Sequence, residues 1–179
     1  MSLSHALLTS LLEKSSSGYD LARRFDKSIG YFWHATHQQI YRELARMEQA
    51  GWITSTEAPD GGKTRKRMYE VCEAGRDELK QWVTTPCDPT VMRDELMVRL
   101  RADAVIGPLG LETEIERRLA LHELKLTAYQ AIEGRDFPAD KVLTREAQIQ
   151  HLILKTGIMV EAGWVNWCHE AIAVLRRTA

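Results

Sequence analysis

A single pair of strand-like segments interrupts a sequence whose pattern is otherwise helical, and this limits the folds open to the chain. The two segments are 52–56 (WITST) and 67–72 (RMYEVC), and the turn sequence Asp60-Gly61-Gly62 lies between them. Asp-Gly and Gly-Gly dipeptides between two β-prone runs are typical of a β-hairpin. The sequence therefore predicts one hairpin set among helices.

Three helices are predicted before the hairpin. Apolar residues recur at helical spacing in 3–12, and Ser17 is placed to cap a short second helix that runs to Phe25. The third helix is ended by Gly51 and has apolar residues at i, i+4 and i+7, namely Ile40, Leu44 and Met47. Three helices followed by a hairpin is the order of a winged helix, whose third helix enters the major groove of DNA.

The rest of the chain is predicted to be helical. A fourth helix begins at Ala74-Gly75 and ends before Pro86, and three more are predicted over 91–105, 111–132 and 141–176. We place the domain boundary between 88 and 89. The predicted fold class is mainly α with a small β-hairpin: a winged helix-turn-helix N-terminal domain, 1–88, plus a three-helix C-terminal dimerisation and effector-binding domain, 89–179.

The third helix has a polar face opposite its apolar one. Gln side chains can recognise adenine, Arg can recognise guanine or bind phosphate, and Tyr hydroxyls commonly contact the DNA backbone. The residues predicted to contact DNA from this helix are Gln38, Gln39, Tyr41, Arg42 and Arg46. The alternative is an ordinary surface helix, since any amphipathic helix has a polar outer face.

A basic stretch at the hairpin supports the DNA interpretation. The formal net charge of the chain is only −1, so contact with nucleic acid must come from a local patch. The predicted patch is the hairpin tip and its return strand: Lys63, Arg65, Lys66 and Arg67. If the strand has begun by these positions, Lys66 points away from Arg65 and Arg67. A solvated turn is the alternative.

The last predicted helix has a wide apolar stripe. A stripe of this width on a helix with few neighbours predicts a homodimer interface, although a compact monomeric domain is the alternative. The interface residues predicted are Ile149, Leu152, Ile153, Thr156, Met159, Val160, Gly163, Trp164 and Trp167. Indole rings can also stack on flat ligands, so Trp164 and Trp167 are candidate effector-binding residues, with an ordinary core role as the alternative.

Enzyme, metal and membrane signatures are not found in the sequence. It has no dinucleotide-binding or phosphate-binding glycine motif, no nucleophile elbow and no H-E-x-x-H motif. Cys72, Cys87 and Cys168 are widely spaced, which argues against disulfides and a zinc ribbon. We therefore expect no catalysis, no cofactor and no bound metal. No apolar run reaches the length of a membrane span, and a cytoplasmic location is expected.

The N-terminal half resembles the PadR-type transcriptional regulators. The resemblance is carried by 17–21 (SGYDL), 32–33 (FW), 40–44 (IYREL), 48–53 (EQAGWI) and 65–69 (RKRMY). The remainder is similar in layout to the longer subgroup with a virulence-activator-like helical C-terminal region. The chain departs from the family at Cys72-Glu73, where a Leu-Thr or similar pair usually caps the helix after the wing. The resemblance implies a homodimeric repressor that a small molecule, such as a phenolic acid, releases from DNA.

The predicted function is therefore that of a DNA-binding transcriptional repressor. The homodimer is expected to bind a palindromic double-stranded DNA operator and to be released by a small aromatic or hydrophobic effector. Two alternatives remain open: a winged-helix module for protein–protein contact, and a thiol- or metal-responsive sensor.

Overall fold

The computed structural model describes residues 3–27, 29–31, 33–57, 66–89, 91–140 and 142–177. The predicted turn Asp60-Gly61-Gly62 and the predicted DNA contacts Lys63 and Arg65 lie outside the described residues. The chain divides into two compact units, Met1–Pro89 and Thr90–Ala179. The predicted boundary between 88 and 89 is adjacent to this division.

The described residues of the first unit form four helices and three short strands. The helices are α1 (Leu3–Glu13), α2 (Gly18–Asp26), α3 (His37–Gln49) and α4 (Glu73–Thr84), and a 3-10 turn, Ile29–Tyr31, lies between α2 and α3. The strands are β1 (Ser16–Ser17), β2 (Ile53–Glu57) and β3 (Arg67–Val71). The predicted order of three helices, hairpin and helix is confirmed.

Apolar faces of α1, α2 and α3 meet in one core. Leu8, Phe25, Ile40 and Leu44 are fully buried in it, and Met47 is almost so. Burying side chains of this size stabilises the fold by roughly 1.5–3 kcal/mol each. The inward direction predicted for α3 is therefore correct, and the core fixes which residues of α3 face outward.

Local signals in the sequence fix the ends of α2 and α3. The Ser17 Oγ accepts a hydrogen bond from the Asp20 amide at 3.2 Å, so the predicted N-cap is confirmed. The Thr36 Oγ1 accepts the Gln39 amide in the same way at the start of α3. Gly51 follows the end of α3 with φ of 72°, a left-handed conformation that favours glycine.

The sheet has one strand more than the sequence predicts. β3 is central and pairs antiparallel with both β2 and β1, with Ser16 opposite Tyr69 and Ser17 opposite Met68 in the second pairing. The β1 strand has only two residues, both serines, which carry no strand pattern. A hairpin alone is marginally stable, and the extra strand joins it to the chain between α1 and α2.

The second unit consists of α5 (Glu95–Ile106), α6 (Leu111–Asp136) and α7 (Arg145–Arg177). The predicted starts of α5 and α7 are wrong by several residues. The Asp94 carboxylate accepts the Leu96 amide at 2.9 Å, and the Thr144 hydroxyl accepts the Ala147 amide at 3.2 Å, so a polar cap sets each helix start. The three helices share a small core of Leu96, Ile115, Cys168 and Ile172.

Candidate nucleic-acid interface

The polar face of α3 lies opposite its buried residues and is open to solvent. Gln38, Tyr41 and Arg42 are all exposed on it. Within the described part of the chain, Arg42 forms no ion pair and no side-chain hydrogen bond. Its guanidinium is therefore available to a ligand, and a planar guanidinium binds guanine or phosphate through two parallel hydrogen bonds.

Gln39 has a structural role that the sequence analysis missed. Its Oε1 accepts the Thr36 amide at 2.8 Å and the Thr36 hydroxyl at 3.2 Å, which completes a capping box. The T-x-x-Q pattern at 36–39 is the sequence signal for this motif. A two-bond contact with adenine uses both the oxygen and the nitrogen of the Gln amide, so Gln39 cannot make one without opening the capping box.

Arg46 is held by a neighbour on its own helix. Its Nη2 lies 2.8 Å from Glu43 Oε1, an i,i+3 pair whose carboxylate is largely covered. Any phosphate contact by Arg46 must compete with this ion pair to Glu43.

Tyr41 belongs to α3, and its ring packs on the first turn of α2, beside Gly18. A Cβ atom added to Gly18 would be 2.6 Å from Tyr41 Cε1, so the absence of a side chain at Gly18 makes room for the ring. Tyr41 remains 46% exposed, and its ring joins the two helices of the helix-turn-helix while the residue stays accessible. Helical periodicity does not predict this packing.

We call the hairpin of β2 and β3 the wing. Two of its four predicted basic DNA contacts are described, and each lies beside a carboxylate. Lys66 Nζ is 3.9 Å from Asp20 Oδ2 on α2, and Arg67 Nη2 is 3.3 Å from Glu48 Oε1 on α3. The two basic side chains therefore reach different helices. Because β3 begins at Arg67, Lys66 precedes the strand, and the predicted alternation along the strand stays a prediction. The Ser17 hydroxyl, more than Lys66, lowers the pKa of Asp20.

Helix α2 adds basic residues that the sequence analysis did not assign to the interface. The Arg23 guanidinium lies 5.6 Å from the centre of the Tyr19 ring, in cation–π geometry, and both residues are exposed. A shallow open cleft is lined by Asp20, Arg23, Arg24 and Lys27. The Arg24 guanidinium donates to the backbone carbonyls of Ser10 and Lys14, so its role is structural.

The apolar stripe of α7 is largely exposed in the protomer. Seven of the nine predicted interface residues are exposed: Ile149, Leu152, Ile153, Thr156, Met159, Val160 and Gly163. The five large side chains among them are between 42% and 66% exposed. Another face of α7 packs on α6, where a Cβ atom added to Gly157 would lie 3.0 Å from Cε2 of the Tyr129 ring. One apolar face of α7 is therefore buried within the second unit, and a second apolar face is exposed to solvent.

The two tryptophans predicted at the stripe are partly buried at its margin. Trp164 stacks on His122 with ring centres 5.5 Å apart and meets Trp167 edge-on at 5.4 Å. The His122 Nδ1 lies 2.5 Å from the buried Glu161 carboxylate. Trp167 packs on the core around Cys168, so the core role is present for this residue. The cluster nevertheless leaves indole surface accessible.

The three cysteines differ in exposure, since Cys87 is exposed, Cys72 is partly exposed and Cys168 is buried. Cys168 is buried, and burial raises the pKa of its thiol, which makes the reactive thiolate less available. Among the described residues, no group of three or more His, Cys, Asp or Glu side chains could hold a metal ion. None of the described helices has the length and apolar character needed to cross a membrane.

Comparisons with known proteins agree with this geometry. A model of the transcriptional regulator PadR-like family matches residues 7–81, and a model of the virulence activator alpha C-terminal region matches residues 92–176. The chain is 39% identical to the probable transcriptional regulator Rv1176c of Mycobacterium tuberculosis over 98% of each chain.

Solved structures match over nearly the full length. The Vibrio cholerae virulence activator AphA has 31% identity and a TM-score of 0.83, covering 99% of this chain and 100% of its own. Bacillus subtilis PadR, at 26% identity, matches as a complex with operator DNA, with a TM-score of 0.84 over 96% of this chain and 97% of that one. Its complex with p-coumaric acid matches with a TM-score of 0.78 over 97% and 98% of the two chains.

The similarity spans both units, and in the first unit it covers the winged helix predicted from the residues. The family consists of regulators rather than catalysts. This chain therefore belongs to the PadR-like family of transcriptional regulators and is a winged-helix, DNA-binding regulator, not an enzyme.

Proposed function

We propose that the protein is a repressor that binds a palindromic operator as a homodimer, with α3 in the major groove and the wing on the adjacent backbone. The observation that carries the proposal is the exposed face of α3, where Gln38, Tyr41 and Arg42 lie opposite fully buried Ile40 and Leu44. A rigid helix with accessible Gln, Tyr and Arg side chains suits base and backbone recognition. The relative from B. subtilis is named a negative transcriptional regulator and was solved with operator DNA, which supports this assignment.

The test is DNA binding by the purified protein. We expect it to retard and footprint the DNA upstream of its own coding region in the presence of excess competitor DNA. Arg42→Ala should weaken operator binding by about 1–3 kcal/mol and relax specificity at one base pair. Arg99→Ala, on exposed α5, is the matched control and should bind as wild type. Equal binding of operator and competitor DNA by the wild-type protein would contradict the proposal, and would favour a protein partner for the basic wing.

The homodimer is proposed from the exposed stripe of α7. Large apolar side chains at this density on a helix surface mark a protein interface, and a twofold dimer would place two copies of α3 on successive turns of DNA. Val160→Asp puts a charge in the stripe, whereas Val142→Asp changes an exposed residue outside α7. We expect analytical ultracentrifugation to show dimer dissociation for Val160→Asp alone. A wild-type monomer at micromolar concentration would contradict the dimer.

We further propose that a small aromatic effector binds at the indole cluster of α7. The observation that favours it is the stack of His122 on Trp164, with Trp167 edge-on. The relative solved with p-coumaric acid shows that a member of this family binds an aromatic acid. Titration with p-coumaric acid should quench tryptophan fluorescence and reduce operator binding, and Trp164→Leu should abolish both effects. Release of operator DNA by the Trp164→Leu variant at the wild-type effector concentration would place the effector elsewhere.

A further inference from the structure

Glu48 is an acidic residue in the last turn of the helix proposed to read DNA. Both features of its position are unfavourable, because a carboxylate near a helix C-terminus opposes the helix dipole and a carboxylate near DNA repels phosphate. Its side chain is partly covered, at 29% exposure. A residue placed at such a cost needs compensating partners.

The partners of Glu48 come from both strands of the hairpin. The Ser55 hydroxyl on β2 donates to Glu48 Oε1 at 2.5 Å. The Arg67 Nη2 on β3 donates to the same oxygen at 3.3 Å and lies 3.4 Å from Oε2. One carboxylate of α3 therefore joins β2 and β3 at the base of the wing.

The strand register makes this contact possible. Ser55 is paired with Tyr69, and Glu57 with Arg67, so Ser55, Arg67 and Tyr69 lie on one face of the sheet. Tyr69 is buried, and its pKa is raised, first by burial and also by the nearby Glu48 carboxylate. The face that carries these side chains is therefore the one that packs toward α3.

Arg67 is a poor candidate for a free phosphate contact. Its guanidinium faces Glu48, and its register partner across the hairpin is the carboxylate residue Glu57. The Glu48 carboxylate offsets the positive charge of Arg67, so moving Arg67 onto a phosphate would leave that carboxylate without its cationic partner beside DNA. Among the described residues, Lys66, which precedes the strand, pairs with Asp20 at the longer distance of 3.9 Å.

We propose that Glu48 is a positioning residue for DNA recognition: with Ser55 and Arg67 it fixes the base of the wing against α3 and so sets where the wing meets the DNA backbone. We call this contact of Glu48 with Ser55 and Arg67 the brace. Arg67 then acts as part of the brace and not as a phosphate ligand. The inference rests on the proposed function, since it assigns a role within the same DNA-binding surface.

The first test is a double-mutant cycle with Glu48→Gln and Arg67→Gln, measured as operator affinity by fluorescence anisotropy. Each single variant should bind about threefold more weakly, and the double variant should bind no more weakly than either single one, because both changes break one brace. If Arg67→Gln reduces operator affinity as much in the Glu48→Gln protein as in the wild type, Arg67 contacts phosphate directly. Tighter binding by Glu48→Gln would show that Glu48 merely competes with DNA. Either result overturns the proposal.

Hydroxyl-radical footprinting separates positioning from general destabilisation. Glu48→Gln should lose protection at the backbone positions next to the wing and keep it at those beside α3. Glu43→Gln is the matched control, because it breaks an ion pair that lies wholly within α3, and the wing protections should remain. Uniform loss across the footprint would overturn the positioning role.

A measurement without DNA keeps the two proposals distinguishable. Amide hydrogen exchange of β2 and β3 should be faster in Glu48→Gln and Arg67→Gln, to the same extent, and unchanged in Glu43→Gln. Unchanged exchange in the first two variants would overturn the brace even if operator binding is established. If these two variants exchange faster but the wild-type protein does not bind the operator, the contact of Glu48 with the hairpin is retained. The proposed function is then rejected.

Discussion

Gly18 is a single residue that connects helix packing with the accessible face of α3. A Cβ atom at this position would be 2.6 Å from Tyr41 Cε1 and would push the ring away from α2. The ring is half exposed and can rotate, so the free energy of unfolding should fall by only about 1 kcal/mol in Gly18→Ala. Operator affinity should fall as well, because the Tyr41 hydroxyl moves with its ring.

The matched control for Gly18→Ala is Gly134→Ala. Gly134 lies in α6, and apart from its chain neighbours and the nearby backbone of its own helix, no described atom is within 4 Å of the Cβ that alanine would add there. Replacing a helical glycine of this kind should stabilise the protein by about 0.5–1 kcal/mol and leave DNA binding unchanged. Thermal unfolding and fluorescence anisotropy measure the two effects. Wild-type operator affinity in Gly18→Ala would show that the position of the Tyr41 ring has no part in binding.

At the scale of the elements, an ion-pair network joins the start of α5 to α6. Arg118 Nη1 lies 2.9 Å from Asp94 Oδ2, and Arg118 Nε lies 3.0 Å from Glu114 Oε1. Arg117 and Arg118 together lower the pKa of Glu114 to about 2. The Leu96 amide, and after it Arg118, lowers the pKa of Asp94.

These lowered pKa values predict how the network depends on pH. Its contribution to stability is complete above the ordinary carboxyl pKa of about 4.5 and is lost as the pH falls toward 2. Arg118→Gln should therefore reduce the free energy of unfolding at pH 7, and the difference from wild type should shrink at pH 3. Urea unfolding at the two pH values measures this, with Arg99→Gln, which breaks an exposed pair with Glu95, as the control. If Arg118→Gln reduced the free energy of unfolding equally at both pH values, the lowered carboxylate pKa values would not be the source of the effect.

The elements that the sequence predicts well are those with a strong local signal. The spacing of Ile40, Leu44 and Met47 predicts both α3 and its buried face, and Ser17 predicts the start of α2. The β1 strand could not be predicted, because two serines gain strand geometry only through pairing with β3. The start of α5 was placed too early because the Asp94 cap, a single side-chain bond, outweighs the apolar residues before it.

The candidate site was predictable as a surface but not as a set of free side chains. Periodicity shows that Gln39, Arg46 and Arg67 face outward, and all three are exposed. It does not show that Gln39 is already hydrogen-bonded to Thr36. Nor does it show that each arginine is paired with a carboxylate, Arg46 with Glu43 and Arg67 with Glu48. Those pairings depend on rotamers and on the meeting of α3 with the hairpin, which are tertiary features. Gln38, Tyr41 and Arg42 are therefore the predicted helix contacts for which the described residues provide no side-chain hydrogen bond or ion pair.

For the whole molecule, a net charge of −1 and a local basic wing imply that affinity and specificity for DNA come from different elements. The overall charge gives no general attraction to DNA, so affinity should depend on a few phosphate contacts and fall steeply with salt. Removing one phosphate contact reduces the slope of log K against log salt by about 0.9. Lys66→Ala should lower this slope by about that amount, and Lys63→Ala with Arg65→Ala by up to about twice as much. All three changes should weaken operator and non-operator DNA alike.

Arg42→Ala should behave differently in the same titrations if the residue reads a base. It should reduce the ratio of operator to non-operator affinity, whereas the wing variants should leave that ratio nearly constant. Arg99→Ala, with the same loss of charge on α5, should change neither the slope nor the ratio. If the wing variants lower the ratio while Arg42→Ala lowers only the slope, the assignments of α3 and the wing must be exchanged, because specificity would then reside in the hairpin.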